Sequence, residues 1–291
     1  MKTTFILYSR NDGYKKKERF LIHLKTILET FDEIIYVDWN SDTHSFLYEI
    51  IDDLPKTGRI KHFIITPYYH DILTSNDPDV QKCNNVLSVN LALRRTDADW
   101  ICIGNIDIIP PTKEELKDFL DKANPNTFYT FSRREIDYDQ VILNKDNLDD
   151  YRKHLNKTIE PRHFPAMVTP NDHYSLINCC GDFQLAHKNI WHTIKGLEEQ
   201  MIYSCFVDTN VQKKAVLNGF NLVPVYDVPV YHMNHKTNRV PQGGDINTLH
   251  DKENTRPPKF NDAWAWVEYF QQSENNENWG LGNTEIEFEI I

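Results

Sequence analysis

Apolar positions in the first part of the chain alternate between two periods. Phe5-Ile6-Leu7-Tyr8, Ile34-Ile35-Tyr36-Val37, Phe63-Ile64-Ile65 and Trp100-Ile101-Cys102-Ile103 are short apolar runs of strand length. Between them, apolar residues fall three and four apart, which predicts helices over 15–31 (Phe20, Leu21, Leu24, Ile27, Leu28, Phe31), 45–54 and 84–95. Thr112 opens a further helix, its hydroxyl free to cap and Glu115 placed three residues on to complete a capping box. This βαβα order predicts an α/β fold with a doubly wound, mainly parallel sheet. Ligands of such sheets bind at the carboxyl ends of the strands, where Asp38 and Asp107 both fall.

The second part is less regular. A strand is predicted at 128–131, a polar insertion over the sheet at 137–174, a strand at 183–186, and helices at 188–194 and 209–217. Residues 223–231 read as a strand interrupted by Pro224 and Pro229, hence an edge or bulged strand. A Pro- and Asn-rich loop at 240–262, a short aromatic helix at 263–271 and an acidic tail containing Trp279-Gly280-Leu281 complete the chain. Trp264, Trp266, Tyr269 and Phe270 suit either core packing or a partner surface. No internal repeat or linker divides the sequence, so one domain is expected.

Composition narrows the function classes. The 291 residues are 40% hydrophobic, with 14 Tyr, 15 Phe and 6 Trp, enough for a large core and unlike a disordered chain. The net charge of −11, with both signs interspersed, argues against nucleic acid as the main partner. A nucleotide is compatible with it where a divalent cation supplies the positive charge. Cys83, Cys102, Cys179, Cys180 and Cys205 form no CxxC pair and read as reduced thiols. No signal-peptide pattern and no membrane-spanning apolar run is present, which predicts a cytoplasmic location.

Several short polar constellations could carry chemistry, although each is also a common turn, cap or bulge. Asn105-Ile106-Asp107 follows a buried strand, where a carboxylate can hold Mg²⁺ or Mn²⁺ against a diphosphate. In Val37-Asp38-Trp39-Asn40-Ser41 the aspartate can accept from a base or ribose, and Trp39 could wall the base. Gly181-Asp182 permits close approach of a sugar or backbone beside a carboxylate. Asp208 opens a helix and could serve as a general base. His232 and His235, three apart at a strand end, could add imidazole to a metal shell, and a mixed Asp/His set suits Mn²⁺ better than Mg²⁺.

Taken in order, these segments resemble the GT-A glycosyltransferases, close to family 2, and a set of bacterial and large-virus glycosyltransferase-like proteins. Further matching segments are Asn90-Leu91-Ala92-Leu93-Arg94-Arg95, Phe128-Tyr129 to Ser132-Arg133, Gly181-Asp182-Phe183-Gln184-Leu185, His232-Met233-Asn234-His235 and Trp279-Gly280-Leu281. The resemblance implies a GT-A domain with a nucleotide-binding half at 1–110, an acceptor and catalytic half at 111–240 and a C-terminal extension at 241–291. It implies a nucleoside diphosphate sugar as donor, UDP-linked in the first instance, a glycan or protein hydroxyl as acceptor, and inversion. Asp38, with Ser41 beside it, would contact the nucleoside, and Asn105 the ribose or a metal-bound water. Asp107 would bind the metal, with His235 or His232 completing its shell. Arg94 and Arg95 would approach phosphate. Asp208 would be the base, and Asp182 the fallback, because Val207 stands where the family usually has the first of two acidic residues. Two rivals predict different behaviour: a sugar nucleotidyltransferase, releasing pyrophosphate, and a non-catalytic glycan- or nucleotide-binding module on a decayed transferase.

Overall fold

The computed structural model describes residues 1–11, 17–75, 82–144, 181–201, 207–234, 274–282 and 284–291, together with Asn147, Leu148, Arg152 and Leu155. The first half gives β1 (Thr3–Ser9), α1 (Lys17–Thr30), β2 (Glu33–Trp39), α2 (Phe46–Ile50), β3 (Ile60–Ile65), α3 (Pro67–Leu73), α4 (Asn85–Arg95) and β4 (Trp100–Gly104). Then follow β5 (Ile108–Ile109), α5 (Lys113–Leu120), β6 (Thr127–Asp137), α6 (Tyr138–Leu143), β7 (Phe183–His187), α7 (Lys188–Thr193), α8 (Val207–Leu217), β8 (Asn221–Asn234) and β9 (Phe288–Ile290).

Among the described residues, nine strands form one sheet in the order β5-β8-β6-β7-β4-β1-β2-β3-β9. Strands β3, β2, β1 and β4 run parallel. The chain winds outward from β1 to β3 and then returns to the other side of β1, so the winding reverses between β1 and β4. That reversal opens a crevice at the carboxyl ends of these two strands. Beyond β4 the sheet is mixed: it turns antiparallel through β7 and then β6, with β8 again parallel to β6.

Residues alternate between two apolar layers. Ile6, Val37, Trp39, Ile103, Phe128 and Ala186 face α4, α7 and α8, whereas Phe5, Leu7, Tyr36, Phe131 and Phe183 face α1, α2 and α5. Burying each such large side chain contributes about 1.5–3 kcal/mol. Helix α4 is capped by the Asn84 side chain, which accepts from Leu87 N. As a crossover it runs antiparallel to the strands, so Asn85 lies at the crevice end and Arg95 at the opposite end.

The capping box at Thr112 and Glu115 forms as predicted. Strand β8 carries the expected irregularity: its register with β6 jumps from Phe131↔Val225 to Arg133↔Val230, so Tyr226 to Pro229 loop out opposite Ser132. Four elements were not anticipated, among them α6 at the start of the polar insertion, capped by the Asp137 side chain. Helix α3 is set by Pro67 in its first turn and the Thr66 cap, with Tyr68, Tyr69 and Ile72 exposed, so it has no apolar stripe to read. Strand β5 has two residues. Strand β9, in the acidic tail, adds antiparallel to the edge strand β3.

Cys83 and Cys102 are free thiols, and Cys102 is buried. Cys179, Cys180, Cys205, the loop at 240–262, the helix predicted at 263–271 and most of the insertion lie outside the described residues. No helix among the described residues is long and apolar enough to cross a membrane.

Candidate active site at the switch point of the sheet

A cleft of about 190 Å³ opens where the winding reverses. Its lining includes Tyr8 from β1, Asn105 after β4, Asn85 at the start of α4, Gly181 and Asp182 before β7, and Asp208 on α8. Two glycines allow this convergence. A Cβ on Gly104 would come within 2.6 Å of the Phe5 ring and 2.7 Å of the Asp182 carbonyl, and one on Gly181 would collide with the Asp208 side chain. The close approach anticipated at Gly181 is therefore made by the Asp208 carboxylate.

Helix α8 begins at Val207, which places Asp208 in its first turn. A helix N-terminus alone would keep this carboxyl ionised. Burial outweighs that effect and pushes its pKa up to about 6; the amide of Thr209 opposes the shift, and the charge of Asp182 adds to it. The result is a carboxyl that titrates close to neutrality, the range a general base requires.

Asp182, in the cleft lining, opens a chain of charged contacts with residues outside that lining. It accepts from Asn105 Nδ2 and forms an ion pair with Arg133. Arg133 also meets Glu135 at 2.9 Å, Glu135 accepts from His232 Nδ1 at 2.7 Å, and His232 Nε2 lies 3.4 Å from Asp107. Arg133 and Glu135 stand two apart on β6 and share a face, and Glu135 is the cross-strand partner of His232 on β8. Asp107 is fixed by its own carbonyl, which accepts from Met233 N at 2.9 Å. Burial depresses the His232 pKa, but hydrogen bonds to Asp107 and Glu135 outweigh it and raise the ring to about 9.

Asp107 and His232 are thus brought together, and His235 lies outside the described residues. Oxygen and imidazole ligands suit Mn²⁺; to ligate it His232 must give up the Nε2 proton that faces Asp107, with Glu135 kept on its other nitrogen. Among the described residues no three His, Cys, Asp or Glu side chains gather as a cation cage. A pair of protein ligands fits a cation that takes its remaining ligands from a diphosphate and water.

Asp38 and Ser41 sit differently. Asp38 is 1% exposed and shares the β2 face of Tyr36, away from the cleft lining. Its Oδ1 accepts from Ser41 Oγ at 2.7 Å and from the Tyr36 hydroxyl at 3.3 Å, while Ser41 Oγ accepts from Asn11 N at 2.8 Å. Burial raises the Asp38 pKa, against the hydroxyls of Ser41, Tyr36 and Ser45. Trp39 does not wall a base: it is fully buried and donates to His70 Nδ1 at 2.9 Å.

Arg94 needs correction as a phosphate contact. It lies at the far end of α4, about 14 Å along the helix from Asn85 by the rise per residue. There it donates to the carbonyls of Glu277 and Trp279 at 3.0 and 3.2 Å and stacks over the Trp279 ring. Arg95 binds the carbonyls of Gly280 and Thr284. Both arginines anchor the C-terminal segment. Sequence reasoning missed Tyr8, Glu135 and Gln184 as site residues, and Arg133 as more than part of a matching segment. The Arg-x-Glu alternation on a strand was the available signal for two of them.

No protein-family model matches the chain, and no curated protein matches it. Solved structures do. A mannosyltransferase from Pyrobaculum calidifontis, in complex with GDP-Man and Mn²⁺, matches with a TM-score of 0.51 and 16% identity over 81% of this chain and 58% of its own. TarS 1-349 of S. aureus, in complex with UDP, matches with a TM-score of 0.51 and 15% identity over 80% and 61%. The chain therefore spans about three fifths of these neighbours' lengths. Its mixed sheet with helices on both faces matches the α/β fold of these neighbours, and the chain has the GT-A glycosyltransferase fold.

Proposed function

We propose that this chain is a glycosyltransferase that takes a sugar from a nucleoside diphosphate sugar, with UDP the first candidate, and passes it to a hydroxyl of a glycan or protein. The observation that carries the reading is the Asp208 carboxyl, held in the switch-point cleft with its pKa brought to about 6. Above that pH it is ionised and accepts the proton of an acceptor hydroxyl as that oxygen attacks the anomeric carbon. Attack opposite the departing diphosphate inverts the configuration. Asp182 is the weaker candidate for the base, because Arg133 and Asn105 already hold its carboxylate. Its charge instead makes Asp208 more basic.

A divalent cation held by Asp107 and His232, with His235 a further candidate ligand, would offset the charge that develops on the leaving diphosphate. Arg133 and Glu135 hold Asp182 and His232 in place. Asp38 and Ser41 shape the loop after β2, and a direct contact from Asp38 to a nucleoside would require the Ser41 hydroxyl to give way. The bound GDP-Man, UDP and Mn²⁺ of the structural neighbours support this choice of donor and metal.

The test is a thermal-shift panel of UDP, GDP, CDP and TDP with and without Mn²⁺. One diphosphate is expected to stabilise the protein by mass action only when Mn²⁺ is present, and Asp107→Ala should abolish the shift. No shift with any of them in folded protein sinks the donor reading. Binding without turnover, unchanged in Asp208→Asn, would leave a binding module. A product anomer matching the donor's, read by NMR, overturns inversion.

A further inference from the structure

The cleft lining holds a polar group that the reaction above leaves unused. Gln184 lies on β7 with no exposed surface, beside Ile103 of β4 and opposite Thr130 of β6. Its Nε2 donates to the main-chain carbonyl of Asp208 at 3.2 Å, while its Oε1 has no hydrogen-bond partner among the described residues. Turning the amide over does not cure this, because Oε1 would then face the Asp208 carbonyl oxygen and the NH₂ group would be left over. Thr130, its cross-strand neighbour on the same face, carries a second buried oxygen without a partner among the described residues. Buried polar groups are nearly always paired, and an unpaired one costs stability. Around these two oxygens the same face is apolar, with Phe128, Ala186 and Trp191.

We infer that Gln184 reads a hydroxyl of the transferring sugar, its Oε1 accepting from that hydroxyl and Thr130 standing beside it as a second polar contact. The inference rests on the transferase reading above. A neutral amide next to the Asp208 carboxyl suits the uncharged part of the donor, since a phosphate there would meet a like charge that no cationic side chain offsets among the described residues. The Nε2 contact fixes the amide, so the acceptor lone pairs are oriented before the sugar arrives. A site of this kind discriminates strongly, because an analogue lacking the hydroxyl leaves the buried acceptor unpaired.

The experiment measures affinities of UDP-glucose, UDP-galactose, UDP-N-acetylglucosamine and GDP-mannose against bare UDP and GDP, with Mn²⁺, for wild type, Gln184→Met and Thr130→Val. One sugar nucleotide should bind wild type more tightly than its bare diphosphate. Gln184→Met should weaken that donor about 10-fold or more and leave the bare diphosphate within about twofold. The deoxy donor lacking the read hydroxyl should bind wild type and Gln184→Met alike. Thr130→Val, nearly isosteric, should show a smaller loss in the same direction, and it carries the test if Gln184→Met fails to fold. A sugar increment that survives both substitutions overturns the inference. So does an equal loss for sugar nucleotide and bare diphosphate, which would mark Gln184 as a mere support for α8. No binding to wild type by any of these compounds fails earlier, at the donor reading itself, and takes the inference with it.

Discussion

Two carboxylates occupy the same end of the sheet, on opposite faces, and their surroundings differ in kind. Asp38 is enclosed by neutral hydroxyls, and those of Ser41, Tyr36 and Ser45 draw its pKa back down against burial. Asp208 lies in an open cleft, with the charge of Asp182 adding to the effect of burial and a glycine at 181 making room for it. The first arrangement stabilises a loop. The second holds a group in a state that the fold alone would not favour, as expected where chemistry and stability compete.

Substituting the two aspartates should break the comparison most sharply. Asp208→Asn is expected to lower turnover about 10²–10⁴-fold, the usual contribution of a general base. Its stability should hold or rise, since a buried charge is removed. The pH dependence has a definite sign. The folded carboxyl titrates at about 6, above its ordinary 3.8, so the folded state keeps a proton that the unfolded chain has released. Its contribution to stability is therefore present at low pH and lost as pH rises from about 4 to about 6. Turnover should rise as pH passes through about 6, where the carboxyl ionises in the folded protein. Denaturant midpoints and a pH–rate profile check both, and a wild-type profile flat across pH 5 to about 7 would sink the role of Asp208.

Gly181→Ala sharpens the comparison by moving Asp208 without changing it. The added methyl meets the carboxylate side chain, and displacement by about 1 Å can cost about 10²-fold in turnover. Diphosphate affinity should change little, and wild-type turnover in this variant would show that the position of Asp208 is not critical. On the other face, Ser41→Ala removes hydrogen bonds to Asp38 and from Asn11 N and should cost about 1–3 kcal/mol in denaturant unfolding. Its effect on turnover should be far smaller than that of Asp208→Asn. A reversal of that order would move the functional assignment to Asp38. The smallest effect is expected from Arg94→Gln: less than about 1 kcal/mol of stability and no change in diphosphate affinity, because the side chain holds carbonyls at the far end of α4.

Much of the fold was legible because it is local. The apolar runs gave β1 to β4, three- and four-residue spacing gave α1 and α4, and Thr112 with Glu115 marked a helix start. Pro224 and Pro229 foretold the irregularity of β8, since proline cannot donate to a strand ladder. Helix α3 escaped because its exposed tyrosines leave no periodic stripe, and β9 because its alternation lies in an acidic tail. In the site, Asp182, Asp208, Asn105, Asp107 and His232 were legible as polar residues at element ends; the structure puts the first three in the cleft lining and pairs Asp107 with His232 outside it. Arg94 and Trp39 misled because residue type does not reveal which end of a helix, or which face of a strand, meets the cleft.

The sequence by itself determined the periods, the caps, the breaks and the inventory of carboxylates, because these depend on neighbours a few residues apart. Tertiary structure alone decided which carboxylate is enclosed by hydroxyls and which faces another charge. It joined Asp182 to Arg133 across 49 positions and His232 to Glu135 across 97, and it left Gln184 with an acceptor to fill. Burial, like-charge proximity and hydrogen-bond satisfaction arise only when distant segments meet, and those three quantities separate a base from a buried structural aspartate.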